Sequence, residues 1–349
     1  MSNLRARTGL FVAAWLLASA PNSRALQNNA GGNTSEFLRI GAGARALGMG
    51  DAFGPVAEGP EAIYWNPAGL ARLNKPEFSY SRTESLNFFH HDFAAYAQPL
   101  GGRRGTLGVS YTRLSQDSLT AVSNTNVNQG SFSPSSDAIS LCYAFAWPDQ
   151  NGWLYDKYSR RLRNVSGATA PFDDEHEGRT GNLMMGFCAK GVRESIYTRN
   201  SMTLASDGGV LLRPIDAEPL ALSFSWRNAG GRQKFLDQAE DLPMEGSLGA
   251  SYDFRDESSR ILPALELVMP YYGNPYGKLG VEYSHGFGET LTLAYRIGYK
   301  SLSATDLSPL SGLTVGFGAL YRHRFRLDLG SQPMEPLGEV YRISLGFLW

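Results

Sequence analysis

From Glu77 to the C-terminus, apolar side chains alternate with small or polar ones in short stretches, the period-two mark of strands with two unlike faces. The last stretch is the clearest. Tyr341, Ile343, Leu345, Phe347 and Trp349 share one face, and Val340, Arg342, Ser344, Gly346 and Leu348 share the other. Leu291, Leu293, Tyr295, Ile297 and Tyr299 likewise oppose Thr290, Thr292, Ala294, Arg296 and Gly298. Fourteen such strands are expected, near 77–86, 91–99, 105–114, 137–147, 181–194, 201–213, 219–228, 245–254, 261–270, 277–285, 290–299, 312–320, 322–330 and 340–349.

A soluble β-sandwich alternates too, so the apolar faces either pack on one another or turn outward to lipid. Three features point to lipid. The stretches reach the roughly 9–11 residues that a tilted strand needs to cross a bilayer. Their apolar faces end in Tyr111, Trp147, Trp226, Tyr299 and Trp349, as interfacial girdles require. The chain also stops on an alternating strand with Phe347 and Trp349, which resembles the C-terminal assembly signal of outer-membrane barrels. The expected fold is therefore all-β, a closed antiparallel transmembrane β-barrel of about 14 strands, with both ends periplasmic.

Loop lengths follow that orientation. The outer links around 115–136, 229–244, 300–311 and 331–339 are long and most of the others short, as barrels require. The exception is 148–180, long yet periplasmic by count. It reads as a periplasmic excursion with an amphipathic helix over 149–164, as a disordered loop, or as two further short strands.

Before the barrel, Arg5 and Arg7 precede an apolar run from Leu10 to Leu17 and then small residues, the form of a secretory signal too short to span a bilayer. Cleavage is expected after Ala25, since Pro21 spoils the site after Ala20. Residues 1–25 then form the signal peptide, 26–76 an N-terminal plug or hatch segment, and 77–349 the barrel. Composition agrees with an all-β chain, with 12% aromatic residues and 39 glycines. A net charge of −1 removes nucleic acid as a partner, because phosphate binding needs a basic excess.

The segment from Phe37 to Ala71 carries the most specific pattern. Phe37-Leu38-Arg39-Ile40-Gly41-Ala42-Gly43-Ala44-Arg45-Ala46-Leu47-Gly48-Met49-Gly50-Asp51-Ala52-Phe53 is followed by Ala62-Ile63-Tyr64-Trp65-Asn66-Pro67-Ala68-Gly69-Leu70-Ala71. This resembles the N-terminus of the PorV/PorQ family, fourteen-stranded outer-membrane barrels related to FadL-type fatty-acid transporters. The resemblance implies a non-enzymatic protein of the bacterial outer membrane that assists type IX secretion or cargo attachment. Its implied partners are outer-membrane lipid, the barrel-assembly machinery, secreted cargo proteins and components of the secretion system. The alternative is a FadL-like channel for hydrophobic solutes whose plug shifts to open a path, and a purely structural barrel is the third reading.

Within the plug, Gly41, Gly43, Gly48 and Gly50 permit positive φ and close backbone approach. Asn66-Pro67-Ala68-Gly69 reads as a turn, with Pro67 fixing φ and Gly69 free to take a positive one. Arg45, Asp51 and Glu61, facing Arg227, Glu266, Glu282 and Arg296 on inward faces, are expected to form a lumenal charge network. Gly41-x-Gly43-x-x-Ala46 matches a dinucleotide fingerprint only formally, because no βαβ context surrounds it.

No nucleophile elbow, HExxH pair or clustered metal ligand occurs, so no catalytic residue, cofactor or metal is expected. His90 and His91 read as a solvated turn. Cys142 and Cys188 face inward by parity on neighbouring strands, where a disulfide and free thiols both remain open.

Overall fold

The computed structural model describes residues 34–349 apart from 86–88, 102–103, 124, 127, 148–182, 198, 214–218, 236–237, 289 and 336–337. The expected signal peptide and the 148–180 excursion lie outside the described residues.

Fourteen antiparallel strands close into a barrel in chain order. They are β1 (Glu77–Ser85), β2 (Phe89–Pro99), β3 (Thr106–Gln116), β4 (Ser135–Trp147), β5 (Leu183–Ile196), β6 (Arg199–Leu212) and β7 (Leu220–Gly230). The second half comprises β8 (Glu245–Tyr252), β9 (Ser259–Pro270), β10 (Tyr276–Phe287), β11 (Leu291–Lys300), β12 (Leu313–Tyr321), β13 (Phe325–Pro333) and β14 (Glu339–Leu348). Closure comes from β14 against β1, with Glu77 opposite Leu348 and Ser85 opposite Val340. Trp349 N–H completes the seam by donating to the Pro76 carbonyl at 3.2 Å.

The alternation resolves as outward-apolar. On β4, Ile139 and Leu141 are 57% and 62% exposed, while Ser140 and Cys142 between them are 4% and 1% exposed. A sandwich would bury those leucines and isoleucines. Only lipid removes the penalty of so much exposed apolar wall.

At the rim where β1 starts and β14 ends, the near rim, β8 turns into β9 and β12 into β13 within a few residues. The far rim carries two small hairpins, Leu119–Val122 with Asn128–Phe132 and Gln233–Phe235 with Gln238–Glu240, and a helix, α3 (Ser301–Asp306). β5 and β6 run 14 residues each, longer than the other strands, so the wall stands tallest there.

Two local expectations change. His90 and His91 lie within β2, on opposite faces, because the strand starts two residues earlier than the alternation shows. Arg322 and His323 form a turn, not the start of β13. Their φ values are 51° and 52°, and the absence of Gly, Asn or Pro hid the turn.

Candidate functional site

Residues 34–76 thread the lumen from the far rim to the near rim. At the far rim, Thr34 N–H donates to the Asp241 carbonyl at 3.2 Å and Ser35 Oγ donates to Gln233 Oε1 at 2.6 Å. A 3-10 turn (Glu36–Arg39) follows, then α1 (Ala44–Gly48), a 3-10 turn (Gly54–Val56), α2 (Ala62–Trp65) and a 3-10 helix (Pro67–Arg72). These pieces stay short because the lumen is narrow and each is held by wall side chains.

α1 runs against β11, β12, β13 and β14, where the wall is cleared of side chains. A Cβ on Gly48 would come within 2.8 Å of the Gly316 Cα, so neither position admits a larger residue. Gly43 and Gly50 take positive φ, 83° and 64°, whereas Gly41 and Gly48 serve close approach alone. A Cβ on Gly41 would fall 2.7 Å from the Trp65 ring.

The segment read as a turn is a helix start. Asn66 caps it, its Oδ1 accepting from Ala68 N–H at 3.1 Å, and Pro67 occupies the first turn, where a missing N–H costs nothing. Gly69 has no positive φ. It is small because the Ala57 carbonyl presses on it.

The charged residues form a network richer than the sequence reading. Glu282 accepts from Arg45 Nε and Nη2 at 2.7 and 2.8 Å and from Arg296 Nε at 2.6 Å. Arg296 continues to Asp328 at 2.7 Å, and Arg45 also pairs with Glu58. Asp51 meets Lys300 at 3.1 Å and Arg342 at 3.8 Å. Glu266 accepts from Gly54 N–H at 2.8 Å and meets Lys278 at 3.4 Å. Arg227 pairs with Glu245 and lies over Tyr64 and Trp65, at 4.8 and 5.0 Å from the ring centroids. Glu61 joins none of these pairs and accepts from Ser79 Oγ at 3.1 Å. The partners Glu58, Asp328, Lys300, Arg342, Lys278 and Glu245 were missed, although inward parity on their strands marks several of them.

The opposite side of the lumen carries two apolar clusters. Below, Ile63, Trp65, Ala68 and Leu70 of the plug pack with Phe93, Ala95, Ala144, Met184 and Leu211 of the wall. Cys142 and Cys188 belong to this cluster as a disulfide between register partners, Cα–Cα 4.0 Å, which settles the open pairing. Above, towards the far rim, Phe37 and Leu38 pack with Ala138, Val192, Ala205 and Leu242 in a second, separate cluster.

A polar latch lies between the two clusters. Lys190 stands on β5 between Cys188 and Val192 and meets Asp207 of β6 at 2.7 Å and Asn228 Oδ1 of β7 at 2.8 Å. The β6–β7 ladder slips there, with Ser206 opposite Ala229 but Gly208 opposite Trp226, and Asn228 bulges at φ 58°. Asp207 Oδ1 accepts the freed Asn228 N–H at 2.7 Å. A bulge beside a site re-aims side chains, and here it aims Asn228 inward. His91, also lumenal and 2% exposed, has neither ring nitrogen hydrogen-bonded.

No protein-family profile and no curated protein matches this sequence. Among solved structures, the chain is similar to the toluene transporter TbuX of Ralstonia pickettii, at 10% identity and TM-score 0.54, covering 88% of this chain and 98% of that one. It is similar also to the toluene transporter TodX of Pseudomonas putida, at 11% identity and TM-score 0.51, covering 88% and 96%. At such identities the likeness is one of fold.

Proposed function

We propose that this barrel is a FadL-like channel of the bacterial outer membrane for small hydrophobic solutes, entered from the far rim, which faces outward. The observation that carries it is the apolar track along β2–β6. Its upper cluster at the mouth is occupied by the plug's own Phe37 and Leu38, and its lower cluster by Ile63, Trp65 and Leu70. Apolar side chains seated in an apolar site stand where an apolar solute gains the same burial, at about 25 cal/mol per Å². Entry then requires the first plug residues to leave, and the polar latch at Lys190, Asp207 and Asn228 separates the mouth from the lower track. The likeness of fold to two toluene transporters supports the reading.

The test is accumulation of labelled toluene and labelled oleate in cells with and without the protein, and with Val192→Asp. Protein-dependent uptake that V192D abolishes is the expected result. Uptake indifferent to the protein, or unaltered by V192D, sinks the proposal.

A second reading, assistance to type IX secretion, rests on the resemblance of residues 37–71 and on a lumen that the plug fills with paired charges. Cargo would meet the far rim, where Val122 and Tyr197 are exposed. Removing 115–136 should abolish co-purification of secreted proteins, and unchanged co-purification counts against this reading.

A further inference from the structure

The β12–β13 turn is built from residues its backbone does not want. Arg324 N–H donates to the Tyr321 carbonyl at 3.0 Å, and both central residues, Arg322 and His323, are left-handed at φ 51° and 52°. This is the geometry for which Asn-Gly is the preferred pair, and each ordinary side chain there costs about 1 kcal/mol. Nor does hydrogen bonding account for the imidazole, since His323 Nδ1 is buried without a hydrogen-bond partner.

The surroundings of the turn supply a reason. The Arg322 guanidinium lies over the Tyr321 ring, 5.3 Å from its centroid. Tyr321 begins an outward row in which each residue is the register partner of the next: Tyr321, Phe325, Phe347, Phe78 and Tyr96, across β12, β13, β14, β1 and β2. Trp349 packs on Phe347 and Tyr96, with centroids 4.6 and 6.0 Å apart. Such a row marks the level where hydrocarbon meets headgroups. Arg322 and Arg324, both exposed, therefore project at headgroup level. The carboxylates at this end of the same strands, Glu77 and Asp328, are buried on the lumenal face, where Arg296 engages Asp328.

We infer that the turn Tyr321-Arg322-His323-Arg324 is a binding site for the headgroup of an anionic phospholipid, phosphatidylglycerol or cardiolipin, in the leaflet at the near rim. Arg322 and Arg324 take the phosphate, and the acyl chains lie on Phe325 and Phe347. The inference needs only that the barrel spans a membrane, and stands whichever solute or cargo it serves.

The test is native mass spectrometry of the full protein released from bilayers of phosphatidylethanolamine doped with phosphatidylglycerol. The wild type should retain phosphatidylglycerol selectively. R322N/H323G, which installs the preferred pair, should lose that selectivity about tenfold while unfolding no earlier than the wild type. R324Q, which leaves the central turn residues intact, should lose part of it. A wild type without selectivity, or either variant retaining it in full, overturns the inference. So does complete competition by inorganic phosphate, which would make this a free-anion site.

Discussion

Glu282 shows what a single lumenal carboxylate does. It is buried and accepts from two guanidiniums, Arg45 of the plug and Arg296 of the wall, so its removal leaves each cation with one carboxylate, Glu58 or Asp328, in place of two where water cannot reach them. Breaking a buried pair from one side costs about 3–5 kcal/mol, whereas a pair in solvent is worth 1 kcal/mol or less. Urea unfolding in lipid vesicles should show E282Q destabilised by about 3 kcal/mol. E84Q, which loosens the half-exposed Arg82–Glu84 pair, should lie within about 1 kcal/mol of the wild type.

Asp253, in the near-rim turn between β8 and β9, titrates outside the spanning strands. Burial pushes its carboxyl up, but Arg260 and Arg255, both donating to it, outweigh that and hold it at about 2 against an ordinary 3.8. A folded-state value below the unfolded one contributes stability above pH 3.8, lost as pH falls towards 2. The contribution is about 2 kcal/mol at neutral pH. D253N should therefore flatten the fall in stability between pH 4 and 2 relative to the wild type, and an unchanged acid slope would refute this assignment.

At the scale of elements, the strands were legible because their information is local. A period-two pattern needs no distant partner to be read, and the fourteen expected stretches match the fourteen strands to within a few residues. The misses are equally physical. The 322–324 turn has no glycine to mark it, and the Asn66 cap was read as a turn because Asn-Pro starts both. The lipid-facing side of each strand also sets what it tolerates. Ile343 stands outward on β14 midway between Glu339 above and Phe347 below, so I343R places a charge at mid-membrane. It should cost about 2–4 kcal/mol in the same unfolding assay. A cost below 1 kcal/mol would mean that this face does not meet lipid.

The whole molecule is a barrel closed around a segment of its own chain, and its interior exists only once both are in place. Deleting residues 34–72 removes Arg45, one of the two partners of Glu282, and Asp51, the partner of Lys300 and Arg342, but opens the lumen to water, which solvates the orphaned wall charges. The barrel should then still form and conduct ions in planar bilayers, where the intact protein is expected to be silent. Equal conductance of the two would show that the plug does not seal the lumen.

The sequence by itself determined the class, the strand count, the outward-apolar face and the aromatic ends, because alternation and turn chemistry act within about ten residues. Only the tertiary structure decided who meets whom inside. Arg45 and Glu282 are 237 positions apart, and the Cys142–Cys188 disulfide, the β6–β7 bulge and the two apolar clusters likewise depend on register and closure. Those relations are set by how many residues each strand slides past its neighbours around the ring. Each strand's own alternation is the same at every even slide, and so is silent about it.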